Sequence, residues 1–388
     1  MNENTPRTEC ELGPIRPPSE ASSLLLRVTR NCPWNKCAFC PVYKGSKFEK
    51  RPEEEVMADI DLLAQAAERV RERADRAGET KQMSTQMVLK IMRDPASSED
   101  EKRMALWLHK GGEHVFLQDA DSLAIPPHRV VRILEYLYER FPSVKRVTTY
   151  ARSRTLVARS RQQFASLREA GLTRIHVGLE SGAAEVLDLV KKGCKPEHHV
   201  KGCRPAVEAG FEVCCYVMPG LGGRRLTEAH ARETAAVLKA IDPHRVRLRT
   251  LWIAPGSPLE ELHQRGELEL LEEEDVIVEI QTMLRGLVGA SGRVVSDHDL
   301  NLLMEIEGHL TDDAEDLDAV CREFLDLPQK KRDAFVVARR SGYFRTLATF
   351  LRDPSAETTF GQAAAELREV GGGSLINGMA IRLGRRSI

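Results

Sequence analysis

Apolar positions along this chain switch repeatedly between a period of two and a period near 3.6. The run Leu24-Leu25-Leu26-Arg27-Val28 reads as a strand over 24–29. Behind Pro52, which suits a first helical turn, Val56, Ile60, Leu62, Leu63 and Ala67 trace an amphipathic helix. Residues 76–110 are polar and read as mixed helix and loop outside the main rhythm. From 114 onward the alternation is regular. Strands are predicted at 114–117, 147–150, 174–177, 211–217 and 246–251, separated by helices at 127–140, 160–170, 183–192, 196–209 and 227–240.

Six strands alternating with helices over residues 24–251 imply an α/β fold. The expectation is a partial (β/α)6 TIM-like barrel of parallel strands, joined by right-handed crossovers, with a helical C-terminal extension. The expected organisation is an irregular N-terminal arm (1–20), the core barrel (21–253), the helical extension (254–353) and a flexible tail (354–388) containing Gly371-Gly372-Gly373. No solenoid-type repeat is visible. No G-x-G-x-x-G follows the first strand, so a dinucleotide-binding reading lacks its fingerprint.

Composition narrows the picture further. The 388 residues are 42% hydrophobic and 30% charged, with a formal net charge of −1, so no global field draws the chain to nucleic acid or membrane. No apolar run approaches a membrane span and the N-terminus is polar, which leads to the expectation of a cytoplasmic protein without a membrane partner. Nine cysteines in such a chain argue against a disulfide framework.

The chemistry concentrates directly after the first strand, in Asn31-Cys32-Pro33-Trp34-Asn35-Lys36-Cys37-Ala38-Phe39-Cys40-Pro41-Val42-Tyr43. Cys32, Cys37 and Cys40 fall within nine residues. Three thiolates on one loop suit a cubane iron–sulfur cluster that leaves one iron without a protein ligand. A structural zinc site wants four ligands, usually as two paired knuckles, and only the Cys37/Cys40 pair is present. Zinc, or inert or redox-active thiols, remain the alternatives that spacing leaves open. Three further polar or glycine-rich segments follow predicted strands: Gln118-Asp119-Ala120-Asp121-Ser122, Gly178-Leu179-Glu180-Ser181-Gly182 and Met218-Pro219-Gly220-Leu221-Gly222-Gly223. All fall at the C-terminal edge, where barrels of this kind gather their chemistry.

With these motifs the chain resembles the radical SAM superfamily, and within it the branch sharing its core with methylthiotransferases and the Elongator catalytic subunit. The resemblance covers about 24–251 and is most specific in the cysteine loop. It implies that Cys32, Cys37 and Cys40 hold a [4Fe–4S] cluster whose open iron chelates S-adenosylmethionine. One electron then cleaves that cofactor to methionine and a 5′-deoxyadenosyl radical, which abstracts hydrogen from a substrate the sequence does not identify. The loop departs from the common spacing, with four residues rather than three between its first two cysteines, while Phe39 keeps the usual aromatic. Where the family often has Gly-Gly-Glu, this chain has Gln118 and Asp119, which become candidates for the cofactor's amino group. By the same resemblance Glu180 meets the ribose or amino group, Arg154 the carboxylate, and Met218 and Gly220 the adenine. The plain alternatives are a helix-capping Glu180 and a surface Arg154.

Implied partners are a small-molecule substrate and an electron donor such as flavodoxin or ferredoxin. Nucleic acid is not indicated, because no RNA-binding or acyltransferase segment is recognisable. A tRNA- or macromolecule-modifying enzyme is the alternative within the class, and a non-catalytic zinc or iron–sulfur protein the alternative outside it. Cys10 reads as a bystander, and Cys194, Cys203, Cys214, Cys215 and Cys321 as buried structural thiols. His198 and His199 are expected to face solvent. Arg247 and Arg249, on one face of the last strand, are offered to an anionic substrate.

Overall fold

The computed structural model describes residues 8–79 and 83–379, and it carries the alternation of strand and helix that the changes of period predict. Its contacts part the chain into two units. One holds the described residues up to 35 together with 42–178 and 201–213; the other holds 36–41, 179–200 and the described residues from 214 onward. The expected boundary near 253 is therefore not where the structure divides.

In the first unit, β1 (Leu24–Arg27) leads into a short antiparallel ladder, β2 (Thr29–Arg30) with β3 (Glu49–Lys50), which closes the base of the cysteine loop. Helix α1 (Glu53–Arg76) starts behind Pro52 with three glutamates in its first turn, favourable at the positive end of a helix, and buries Val56, Ile60, Leu63, Ala67 and Val70 on one face. The ambiguous polar stretch resolves into α2 (Thr85–Arg93) and α3 (Glu99–His109), the latter opened by a Ser98/Glu101 capping box. The run then goes β4 (His114–Gln118), α4 (Pro127–Arg140), β5 (Arg146–Ala151), α5 (Ser153–Val157), α6 (Arg161–Glu169) and β6 (Leu172–Glu180). Strands β1, β4, β5 and β6 pair in parallel in that order, with Leu24 opposite Val115, Val115 opposite Val147 and Thr148 opposite Arg174. Because side chains alternate along a strand, Val115, Leu117, Val147 and Ile175 share one apolar face. Phe116, Thr148, Tyr150, Arg174 and His176 share the other. There Phe116 and Tyr150 meet edge to face at 5.2 Å, and Tyr150 meets His176 at 5.8 Å.

The described part of the N-terminal segment is firmly attached. Glu11 pairs with Arg27 and Arg30, Cys10 donates its backbone N–H and its thiol to Asp100, and Glu20 is fully buried against Arg146, Arg174 and His176. Burial acts to raise the Glu20 carboxyl, but His176, Ser23 and Arg146 hold it at about 2.

The second unit contains α7 (Ala184–Leu189), the start of α8 (Pro196–Glu208) and most of β7 (Glu212–Val217). It continues through α9 (Gly223–Ile241), β8 (Arg245–Leu248), α10 (Pro258–Gln264), α11 (Glu273–Gly286), β9 (Arg293–Val295) and β10 (Gly308–His309). Strands β7, β8 and β9 are parallel, and β10 turns back antiparallel on β9. The α/β class with parallel strands holds, and β9 adds a parallel strand that three residues were too few to announce. The C-terminal helices are α12 (Ala314–Leu325), α13 (Gln329–Arg340), α14 (Leu347–Leu351) and α15 (Ala356–Val370). The stretch expected to be a loose tail thus carries α15, packed on α13 and pinned by a two-pronged Arg368–Asp333 ion pair. Residues 380–388 of that tail lie outside the described residues.

Candidate cofactor site

Within the first unit, the loop that begins at Asn31 is tied down by residues distant in sequence. Asn31 adopts a left-handed conformation (φ 69°) and its side-chain amide donates to the Lys47 carbonyl at 2.7 Å. Asn35 is also left-handed (φ 47°), and its N–H donates to Cys32 Sγ at 3.4 Å. Its side-chain amide donates to the carbonyls of Tyr43 and Ser46. The Arg152 guanidinium lies over the Trp34 ring at 5.2 Å.

Gln118 and Asp119 are both buried at the end of β4, joined by a cis peptide bond. The Gln118 amide donates to the carbonyls of Gly13 and Ile15 and accepts from the Gly13 N–H, so it holds the N-terminal arm. Asp119 is fully occupied as well. Its Oδ2 accepts from Arg27 Nε and Nη2 at 3.1 and 2.7 Å and from the Asn31 N–H at 2.9 Å, while its Oδ1 accepts from the Tyr43 hydroxyl. Arg154 lies exposed on α5. Sequence reasoning passed over Asp121, which is entirely buried. Its Oδ2 accepts from the Thr155 hydroxyl at 2.5 Å, and its Oδ1 has no hydrogen-bond partner among the described residues. Burial pushes this carboxyl up to about 6, against the Thr155 hydrogen bond and the charges of Arg152 and Arg159.

Within the second unit, the segment Cys37-Ala38-Phe39-Cys40 forms a turn (Cys40 N–H to the Cys37 carbonyl, 3.3 Å) seated on an apolar cluster. The Ala38 N–H donates to Val190 at the end of α7, and its carbonyl accepts from Leu259 at the start of α10. Ala38 and Met218 share that cluster with Val186, Val190, Leu221 and Leu259, and Phe39 packs against it. Glu180 has φ 65°; its carbonyl accepts from the Met218 N–H, and its carboxylate pairs with Lys192 Nζ at 3.0 Å. Lys192 is only 8% exposed and lies 5.6 Å from the centre of the Phe39 ring. Burial alone would lower its pKa; Glu180, Cys37 and Cys194 more than offset that and hold it raised. A fixed positive charge therefore stands beside Cys37. Nothing in the local pattern around Lys191-Lys192 distinguished it from a surface lysine.

The glycine-rich segment is braced from α9 and α11. Glu279 accepts from the Gly220 N–H at 2.7 Å and the Thr227 hydroxyl at 2.6 Å. His230 bridges the Met218 carbonyl (3.0 Å) and the Ser181 hydroxyl (2.8 Å), linking the two motifs. Two expectations need correction here. His199 is fully buried, with Nε2 3.5 Å from Cys194 Sγ, and burial with the neighbouring Lys192 charge pulls it down to about 3. Arg247, 9% exposed, is already committed to Asp297 at 2.6 Å and to the Tyr216 hydroxyl and ring, so it is not an open anion receptor.

Cys32, Cys37 and Cys40 are all half-buried free thiols. Among the described residues no three His, Cys, Asp or Glu side chains are grouped to hold a single metal ion. A cubane cluster, by contrast, takes each of three thiolates on a different iron. Three soft donors within nine residues of sequence, Cys32 with an N–H directed at its sulfur in the first unit and Cys37 with the Lys192 charge acting on it in the second, are the donor type that group takes.

Residues 92–238 match the family model described as the radical SAM superfamily. That stretch, somewhat over a third of the chain, supports the radical SAM resemblance. Members of this superfamily are enzymes that use a [4Fe–4S] cluster and S-adenosylmethionine. A tRNA uridine(34) acetyltransferase from Methanocaldococcus jannaschii is 23% identical over 264 residues, 63% of this chain and 45% of that protein. A biotin synthase from Maridesulfovibrio salexigens is 35% identical over 107 residues, 27% of this chain and 31% of its own. Among solved structures, methylornithine synthase aligns over 88% of this chain and 85% of its own at 17% identity, with a TM-score of 0.41. The chain spans less than half the length of these curated relatives. No helix among the described residues is long and apolar enough to cross a membrane.

Proposed function

We propose that this protein holds a [4Fe–4S] cluster through Cys32, Cys37 and Cys40 and cleaves S-adenosylmethionine reductively, using a separate reductant such as flavodoxin or ferredoxin. The observation that carries the reading is the Cys37–Cys40 turn, seated beside Met218 with the buried Lys192–Glu180 pair next to Cys37. When bound, the cluster supplies the electron that splits the cofactor's carbon–sulfur bond and so gives a 5′-deoxyadenosyl radical.

The chain's own residues bind and orient. Lys192 offers a desolvated ammonium to the cofactor's carboxylate, and Glu180 holds that ammonium in place. The backbone at Met218 and Gly220 is fixed by His230 and Glu279, so a flat adenine meets a rigid wall. Gln118 and Asp119 serve the fold of the arm and loop, while Asp121, with one open carboxylate oxygen, is the better candidate for an amino group in the first unit. Exposed Arg154 is a weaker candidate for the cofactor than Lys192.

A small-molecule substrate is the first reading. Similarity to a tRNA uridine(34) acetyltransferase supports a second, in which the radical acts on RNA.

The deciding experiment is anaerobic. Protein reconstituted with iron and sulfide receives dithionite and S-adenosylmethionine, and 5′-deoxyadenosine is quantified beside a variant with Cys32, Cys37 and Cys40 changed to alanine. Deoxyadenosine well above that control is expected; zinc at one per chain with no deoxyadenosine sinks the proposal. Adding a metabolite extract or total RNA in parallel separates the two substrate readings by which one accelerates turnover.

A further inference from the structure

Asp119 stands where a cofactor contact was expected, but its geometry assigns it another task. We infer that Asp119 is a clasp: one buried carboxylate holds both ends of the cysteine loop closed whether or not iron is present. This inference rests on the reading of that loop as the cluster site and makes Asp119 a positioning residue, acting through the loop.

Asp119 is 0% exposed and accepts four hydrogen bonds from Arg27, Asn31 and Tyr43. Asn31, one residue ahead of Cys32, donates its backbone N–H, and Tyr43, three residues beyond Cys40, donates its hydroxyl. The entry to and the exit from the loop thus end on one side chain that arrives from β4. Arg27 supplies the counter-charge through two N–H groups. That guanidinium is held in turn by the Glu11 carboxylate and the Leu12 carbonyl, so it cannot swing away. Gly13 closes the remaining approach, since a Cβ there would sit 3.2 Å from Asp119 Oδ1. No edge of the carboxylate is left to receive a cofactor's ammonium.

The clasp is reinforced independently of Asp119. The β2–β3 ladder pairs Thr29 with Lys50 and Arg30 with Glu49 across the base of the loop. Asn31 and Asn35 cross it with side-chain amides aimed at Lys47, Tyr43 and Ser46. Closing a loop of this length costs chain entropy, and a loop closed in advance spares metal binding that cost. Buried charge-assisted hydrogen bonds are the strong kind, and removing one partner strands the others.

The test separates a clasp from a cofactor contact. Full-length Asp119→Ala and Tyr43→Phe are compared with the parent protein. Tyr43→Phe keeps a buried ring and deletes only the hydroxyl, so it decides the matter even where Asp119→Ala, with Arg27 left unneutralised, fails to fold. In the metal-free protein, hydrogen–deuterium exchange over residues 31–47 is expected to speed up about tenfold in Tyr43→Phe and further in Asp119→Ala. In the reconstituted protein, iron release to a chelator is expected to speed up about tenfold, while S-adenosylmethionine affinity of the still-loaded fraction stays unchanged. Unaltered exchange and iron release in both variants overturn the clasp. So does weakened S-adenosylmethionine affinity with iron retention intact, which would restore Asp119 to the cofactor. If the parent takes up no cluster, the proposed function fails, and the exchange measurement on metal-free protein still decides the clasp.

Discussion

Changing Asp121 to asparagine should make this protein more stable at neutral pH, and changing Glu20 to glutamine should make it less stable. Both carboxylates are fully buried in the first unit, so the opposite signs come from their partners. Asp121 is pushed up to about 6 from an ordinary 3.8 because burial outweighs the Thr155 hydroxyl, the charge and backbone hydrogen bond of Arg152 and the charge of Arg159, which favour its charged form. A carboxyl whose folded pKa is raised binds more protons in the folded state. Stability therefore falls as pH rises from about 3.8 to about 6, and the loss persists above that. At about 1.36 kcal/mol for each pKa unit, the charged Asp121 costs about 3 kcal/mol at pH 7. Asparagine removes the charge and keeps an acceptor for the Thr155 hydroxyl. For a unit of this size, about 3 kcal/mol corresponds to roughly 6 °C or more in Tm.

Glu20 is the mirror case. Burial raises it, but His176, Ser23 and Arg146 bring it to about 2 from 4.5, so its contribution is present above pH 4.5 and is lost as pH falls toward 2. Glutamine at that position should lower stability at pH 7 by about 3 kcal/mol. Melting followed by circular dichroism in steps from pH 3 to pH 8 checks both variants. The Asp121→Asn advantage should shrink below pH 6 and vanish near pH 3.8, and the Glu20→Gln deficit should shrink below pH 4.5. An Asp121→Asn protein no more stable than its parent at pH 7 refutes the argument. If it is more stable yet makes no deoxyadenosine, the buried charge is retained for function at the expense of the fold.

Lys192→Met should weaken S-adenosylmethionine binding by roughly tenfold to a hundredfold with iron content unchanged, measured by equilibrium binding to the reconstituted protein. Equal affinity would remove Lys192 from the cofactor. Gly182→Ala should lower Tm and destabilise by about 1–3 kcal/mol. The cause is that its Cβ would lie 2.5 Å from the Glu233 carbonyl and 2.6 Å from Thr234 Cα on α9. Glu279→Ala should leave the Gly220 N–H and the Thr227 hydroxyl without their acceptor. Faster exchange over 218–223 at unchanged exchange over 31–35 would show the loss is local, and no change would show that Glu279 does not brace the segment.

Whatever is encoded within a short window was legible in the sequence. The helix over 127–140 follows from apolar residues at helical spacing behind Pro126-Pro127, and the strands from period-two runs ending in polar motifs. The cysteine loop was visible because three soft ligands in nine residues need no distant context to be noticed. Fates set by partners far along the chain were not legible. Gln118 is taken by Gly13 and Ile15, more than 100 residues earlier, and Asp119 by Arg27, Asn31 and Tyr43. Nothing in the sequence singled out Lys192, whose role comes from Glu180 and Cys37, and His199 was expected to face solvent but is buried. The glycine-rich tail looked loose, yet Arg368 finds Asp333 and α15 forms. Hydrophobic periodicity is a property of neighbouring residues, so a single sequence determines the elements and the loop that carries the chemistry. The role of a buried charge depends on which groups surround it after burial, and only the tertiary structure decides that.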